Sequence, residues 1–229
     1  MKTIGILGGM SAASTQLYNR KLCSLTQASM GGLHSPELLI RSLDFAVIEA
    51  LQAEDRWEEA GERLNQEALA LERGGAEILG LATNTMHKVA ETMMRGVSVP
   101  LVHIADATAS RISDLQCSRP GLMATRFTME QPFYIERLQD RGLTPVIPLA
   151  DDRDRIHRVI YDELCQGVIT AESEAEYVAI ADRLVDQGAD CLILGCTEVG
   201  LLLNAGNVSV PVFDTTLIHC EALLAAAIT

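Results

Sequence analysis

The chain has 229 residues, enough for one large domain or two small ones and for a core that needs no disulfide or metal to hold it. Its 31 Asp and Glu against 18 Lys and Arg give a formal charge of −13, which argues against nucleic acid and anionic membrane surfaces as partners. The six cysteines, at 23, 117, 165, 191, 196 and 220, make no Cys-x-x-Cys pair, and no apolar stretch suits a membrane span or a signal peptide. The expectation is a cytoplasmic protein with reduced thiols and no metal.

In chain order, Thr3–Leu7 (TIGIL) reads as a short buried strand, and GGMSAAST opens a helix that runs to about Gln27. After the MGGLHSP loop comes a strand over Glu37–Ser42, with DFAVIE as the loop beyond it. Glu54–Arg73 is predicted helical because Trp57, Ala60, Leu64, Ala68 and Leu71 recur at spacings of three and four. Ile78–Ala82 is a strand, a helix starts at Thr85, and Val99–Ile104 is a further strand. GLMAT at 121–125 is a strand entering a loop, followed by a helix over Gln131–Arg141 and a strand over Thr144–Pro148. Helices over Asp151–Cys165 and Glu172–Gln187 lead to the strand CLILG and a helix from about Thr197. VPVFD at 210–214 and a helix over Thr215–Ala227 close the chain and are expected to complete the first half. This alternation is the pattern of parallel sheets covered by helices, an α/β protein.

The chain repeats itself. GAEILGLATNTMH (75–87) superimposes on GADCLILGCTEVG (188–200) with a shift of 113 positions, and GILGG (5–9) on GLMAT (121–125) with a shift of 116. Two similar Rossmann-like domains follow, related by a pseudo-two-fold, expected as 1–98 with 212–229 and as 99–211. Parallel sheets bind ligands outside the carboxyl ends of their strands. The loops at Gly8–Ser14, Thr83–Thr85, Thr125–Thr128 and Cys196–Glu198 are such ends, and an active site between facing halves would place Thr83 opposite Cys196.

Two groups on opposite faces of one carbon suit removal and return of a proton, which is racemisation or epimerisation. Cys196, read at a helix start, would be favoured as thiolate by the helix dipole. Hydroxyls of Thr85, Thr125, Thr128 and Thr197, with backbone amides, are candidate holders of a carboxylate. None of the three lysines, Lys2, Lys21 and Lys88, is placed for a Schiff base, which favours a mechanism without pyridoxal phosphate or any other cofactor. The plainer readings are a packed core thiol for Cys196, a helix cap for Thr83, a first-turn carboxylate for Glu198 and packed rings for His87 and His219. The repeat favours catalysis for Cys196 and leaves capping and catalysis level for Thr83.

The chain resembles the aspartate/glutamate racemase family. GILGGMS (5–11), TNTMH (83–87), LMATRFTM (122–129), LGCTEV (194–199) and VPVFD (210–214) carry the resemblance over nearly the whole length. It implies a two-domain isomerase of amino-acid metabolism, often a dimer, here expected as a homodimer, with no cofactor or metal and with aspartate or glutamate as the first substrates to expect. The family's two catalytic cysteines fall on Thr83 and Cys196, and substrate contacts fall on Met10 (a pocket wall), Asn84, Thr85, Thr125, Thr128, Thr197 and Glu198. Three positions depart from the family pattern: Thr83 replaces a cysteine, Cys165 stands where a lysine is typical, and the loop near Ile48 lacks an arginine. Arg126, then Gln52, are the nearest replacement donors for an acidic side chain. With one thiol left, a decarboxylase or isomerase of the same superfamily is the alternative, as is a non-catalytic amino-acid-binding protein.

Overall fold

The computed structural model describes every residue, Met1–Thr229. The chain forms two units, Met1–Ile104 with His219–Thr229, and Ala105–Ile218.

The first unit is built on a four-stranded parallel sheet: β1 (Ile4–Gly8), β2 (Leu38–Ser42), β3 (Ile78–Leu81) and β4 (Leu101–Val102), in the order β2-β1-β3-β4. The strands are joined by α1 (Ala12–Met30), α2 (Phe45–Ala53), α3 (Trp57–Arg73) and the short α4 (Ala90–Met93). β1 and β3 are buried along their whole length because helices cover both faces, so their sequence is a continuous apolar run rather than an alternation. α3 buries the expected stripe of Trp57, Ala60, Leu64, Ala68 and Leu71. Ile4, Ile6, Tyr18, Leu22 and Ile78 pack with Cys220 and Leu223 from the end of the chain, each aliphatic side chain contributing roughly 1.5–3 kcal/mol on burial.

The second unit holds a three-stranded parallel sheet, β5 (Pro120–Met123), β6 (Cys191–Leu194) and β7 (Val212–Asp214), in the order β5-β6-β7. Its helices are α5 (Ile104–Asp114), α6 (Arg126–Glu130), α7 (Pro132–Gln139), α8 (Ala150–Asp162) and α9 (Ala171–Asp186), and α10 (Thr215–Ile228) begins in this unit and ends in the first.

Several expectations are corrected. DFAVIE is not a loop but the start of α2, opened by Asp44, whose carboxylate accepts from the Ala46 amide at 3.1 Å. The helix expected from Glu54 starts at Trp57, because Asp55 turns left-handed (φ 57°) and separates α2 from α3. The strand expected over Thr144–Pro148 is reduced to one bridge, Gly121 to Val146, since Pro145 and Pro148 have no amide to give a ladder. VPVFD pairs with β6 in the second sheet, and β4 lies in the first. The chain therefore passes between units at Ile104/Ala105 and Ile218/His219 rather than at 98/99 and 211/212. Thr85–Val89, expected to begin an α-helix, is a 3₁₀ turn. So is Val199–Leu201 after Cys196, where Gly200 weakens helix propagation.

Candidate active site

The repeat seen in the sequence is a repeat of hydrogen bonds. The Glu77 amide donates to Thr3 O at 2.9 Å and the Asp190 amide to Arg119 O at 3.0 Å. Leu79 donates to Pro100 O and Leu192 to Pro211 O, both at 2.9 Å. Ala82 donates to Leu7 O at 2.9 Å and Gly195 to Met123 O at 2.8 Å. The two carboxylates also match: Glu77 accepts from the Thr3 amide at 2.8 Å and Asp190 from the Arg119 amide at 2.9 Å. Thr83 and Cys196 are thus equivalent positions, each just past the carboxyl end of an inner strand.

In the second unit Gly195 lets β6 end close against its neighbour, since a Cβ there would lie 2.8 Å from the Ala124 methyl. The half-buried Cys196 follows, and its thiol donates to Glu198 Oε2 at 2.9 Å. Glu198 is only 7% exposed. Burial pushes the Cys196 thiol well above the ordinary cysteine range, and the Glu198 charge and hydrogen bond push it further the same way. This reverses the expectation of a thiolate favoured by a helix start: the turn after Cys196 is three residues of 3₁₀ helix, and the nearest charge is negative. The resting group is a thiol hydrogen-bonded to a carboxylate.

Cys165 and Tyr177 lie within electrostatic reach of this pair. Burial, with the Glu198 charge, raises the Cys165 thiol to about 12, and the buried Tyr177 phenol is raised by burial and by Cys196, while its hydroxyl donates to Ile156 O at 2.9 Å. Tyr177 carried no signal in the sequence beyond its apolar setting on a helix. Cys165 was legible only as a departure from a family pattern. Buried Thr125 and Thr128 share a hydroxyl hydrogen bond of 3.2 Å beyond β5, and half-buried Thr197 adjoins Cys196. Arg126, a candidate clamp for an acidic side chain, is exposed and paired with Asp154 at 3.2 Å, while its amide donates to His157 Nδ1 at 3.3 Å.

In the first unit the matching edge is drawn together from three loops. Gly9 must be glycine: its φ is 89° and a Cβ would sit 2.1 Å from the Leu43 amide nitrogen. Buried Met10 comes next, then Ser11, which caps α1 by accepting from the Ser14 amide at 3.2 Å. The Ser14 hydroxyl donates to Ala82 O at 3.2 Å, which ties the end of β3 to the loop after β1. The Thr83 carbonyl accepts from His87 Nδ1 at 2.7 Å, and His87 Nε2 accepts from the Ile104 amide at 3.3 Å, which sets the ring as the neutral Nδ1–H tautomer. The turn at Thr85 is entered through Asn84, which makes no side-chain cap bond, and Thr83 lies one residue before that cap position. Asn84 and Thr85 are buried, and buried Gln52 donates to Met86 Sδ at 2.9 Å, which places it against the same turn. Ile48, near the place where the family resemblance implies an arginine, is fully packed on α2. Lys88 is committed elsewhere, with its ammonium 3.7 Å from the Trp57 ring centroid.

Known proteins frame this geometry. A curated relative, the broad-specificity amino-acid racemase RacX of Bacillus subtilis (strain 168), is 22% identical over 223 residues, covering 93% of this chain and 92% of its own. The crystal structure of a candidate Asp/Glu racemase from Yersinia pestis superimposes with a TM-score of 0.93 at 44% identity, over 100% of both chains. That of an aspartate racemase homologue from Pyrococcus horikoshii OT3 gives a TM-score of 0.87 at 36% identity, again over 100% of both. The sequence pattern of the Asp/Glu/hydantoin racemase family matches residues 7–223, and the chain belongs to that family.

Proposed function

We propose that the protein racemises an amino acid without a cofactor, with Cys196 exchanging the Cα proton on one face and the Thr83 position serving the other. The observation that carries this reading is the Cys196 thiol held on the buried Glu198 carboxylate, at the strand end equivalent to that of Thr83. A thiolate is needed to take a carbon-bound proton, and Glu198 supplies the route to it. The carboxylate accepts the thiol proton as the substrate enters, the thiolate takes the Cα proton, and the planar carbanion is reprotonated from the opposite face. There the donor is the Thr83 hydroxyl or a water held by it, and the alkoxide or hydroxide left behind is neutralised through solvent by the proton that Glu198 took up. Backbone amides and the hydroxyls of Thr85, Thr125, Thr128 and Thr197 are the groups suited to hold the α-carboxylate.

The charge around the site supports an uncharged substrate side chain over aspartate or glutamate. Glu198 is beside the thiol, Cys165 stands where the family has a lysine, Ile48 is apolar, and Arg126 already pairs with Asp154. Chiral chromatography of all L- and D-amino acids in deuterium oxide tests both parts. Turnover of neutral amino acids with deuterium in the recovered material is expected. Release of carbon dioxide from malonate-like acids, with no enantiomer interconverted, would replace the racemase reading by a one-thiol decarboxylase. Glu198→Gln should slow the reaction about 10- to 100-fold and give kcat/KM an alkaline rise that the unmodified enzyme lacks, because the thiol then loses its proton to solvent instead of to the carboxylate. An unchanged profile would remove Glu198 from the proton route.

A further inference from the structure

We propose that Cys117 and Cys191 are an oxidisable thiol pair that closes to an intramolecular disulfide at the amino-terminal edge of the second sheet, remote from Cys196 along β6. The sulfurs of Cys117 and Cys191 and the carboxylate of Asp190 lie within 4.8 Å of one another. Cys191 opens β6, fully buried, in register with Pro120 at the start of β5, and half-buried Cys117 stands just before that strand. No backbone or side chain has to be displaced from between the two sulfurs, which already lie within 4.8 Å of each other.

Three donors in one place also suggest a soft metal ion, and the internal repeat decides between the two readings. Asp190 accepts from the Ser118 amide at 2.8 Å, the Ser118 hydroxyl at 3.2 Å and the Arg119 amide at 2.9 Å. Its equivalent Glu77 holds the Thr3 amide at 2.8 Å in a half where the positions matching Cys117 and Cys191 are Met1 and Ile78. The carboxylate therefore ties adjacent strand starts together in both units, thiols or no thiols. What the second unit adds is the two cysteines alone, and two sulfurs make a disulfide but leave a zinc site short of ligands.

The chemistry balances with a peroxide as oxidant. The more accessible Cys117 thiol gives up its proton and attacks hydrogen peroxide, forming a sulfenic acid and releasing water. The Cys191 thiol, whose sulfur lies within 4.8 Å of the Asp190 carboxylate, passes its proton toward that carboxylate as its sulfur attacks the sulfenic sulfur. The S–O bond breaks, the S–S bond forms, and a second water leaves. The net change is two thiols and one peroxide to one disulfide and two waters. The sulfurs must close to about 2.05 Å. That movement falls on Cys117, which lies in the irregular stretch between α5 and β5. Cys196 follows the opposite end of β6, about 16 Å along the strand from Cys191 at roughly 3.3 Å per residue, so it takes no part.

The test treats the full chain, reduced and then freed of reductant, with one equivalent of hydrogen peroxide. Expected are an intact mass lower by about 2 Da, a non-reduced peptide joining Cys117 to Cys191, and a Tm higher by several degrees because most of the second unit is closed in one ring. Dithiothreitol should reverse all three. Cys117→Ser and Cys191→Ala should each abolish the mass loss and the Tm rise, and iodoacetamide labelling of Cys196 should be the same before and after oxidation. If Cys191→Ala does not fold, the exposed-side Cys117→Ser and the peptide map of the unmodified chain still decide. A disulfide to any other cysteine, or oxidation of Cys117 to sulfinic acid with Cys191 still a thiol, overturns the proposal. So does stoichiometric zinc retained through dialysis by the reduced chain and lost in Asp190→Asn, which would make the cluster a metal site.

Discussion

The two inner strands, β3 and β6, have the same backbone hydrogen bonds and end in different chemistry. β3 delivers Thr83, whose carbonyl is held by His87; β6 delivers Cys196, whose thiol is held by Glu198. In the first case the neighbouring side chain fixes the backbone and leaves the hydroxyl out of the turn's hydrogen bonding. In the second it grips the reactive atom itself. The lesson is that the repeated scaffold conserves where a side chain is delivered, and the partner it meets a few residues further on decides what that side chain can do. A second swap accompanies the first: Gly8 beside Ala82 in one unit becomes Ala124 beside Gly195 in the other, so each pair of strand ends carries one methyl.

The largest break of the comparison is at the thiol. Cys196→Ser should cut racemisation about 10³- to 10⁴-fold while Thr83→Ser changes it only a few-fold, measured as initial rates by chiral chromatography. Comparable losses at the two positions would mean that the halves contribute equally and that Thr83 is more than a donor or a water holder.

The next effect concerns pH and a histidine of the first unit. Burial lowers His219 in the first unit to about 4, with its Nδ1 accepting from the Tyr18 hydroxyl and its Nε2–H donating to Val102 O, each at 2.7 Å. The folded state keeps this ring neutral, whereas the unfolded chain takes up a proton as pH falls through about 6.5. The stability tied to the neutral ring is therefore complete above that pH and is lost as pH drops from 6.5 toward 4, by up to about 3 kcal/mol. Urea unfolding at pH 7 and pH 4.5 should show it. His219→Gln, though less stable at pH 7, should lose most of that acid dependence, and an unaltered slope would assign the loss to other groups.

The methyl swap gives a smaller and reciprocal effect. Gly195→Ala places a Cβ 2.8 Å from the Ala124 methyl and should destabilise by about 1–3 kcal/mol. Adding Ala124→Gly should recover most of that in thermal unfolding. No recovery would show that the crowding comes from Leu122, whose Cδ1 lies 3.0 Å from the same Cβ.

The smallest expected effect restores the missing thiol. Enantiomers have equal free energy in water, so kcat/KM must be the same in both directions, and asymmetry appears only in kcat and KM separately. Thr83→Cys should raise kcat from the D side several-fold more than from the L side, with the D-side KM rising to match. Equal kcat values in the unmodified enzyme would mean that another group already supplies the second base.

Much of this is legible in the sequence. The shift of 113 positions carries Glu77 onto Asp190, Leu79 onto Leu192 and Ala82 onto Gly195, and each pair makes the same hydrogen bond. Strands β1, β3, β5 and β6 and the stripe on α3 follow from apolar runs and a helical period, which are local signals. α2 has no clear helical signature in the sequence, because FAVIEALQA is apolar on most sides and follows an Asp that also suits a turn. The strand expected at 144–148 shrinks to one bridge because two prolines remove its donors.

The sequence by itself determined two similar α/β halves, the family, and the delivery of Thr83 and Cys196 at equivalent strand ends, because backbone periodicity and repetition are written residue by residue. Only the tertiary structure decided that β7 joins the second sheet, that Arg126 is spent on Asp154, that Cys165 comes within reach of Glu198, and that Cys196 rests as a thiol rather than a thiolate. Each of these depends on how much water a group loses and which charge it meets after folding. Those quantities belong to residues brought together from distant parts of the chain, and no local spacing encodes them.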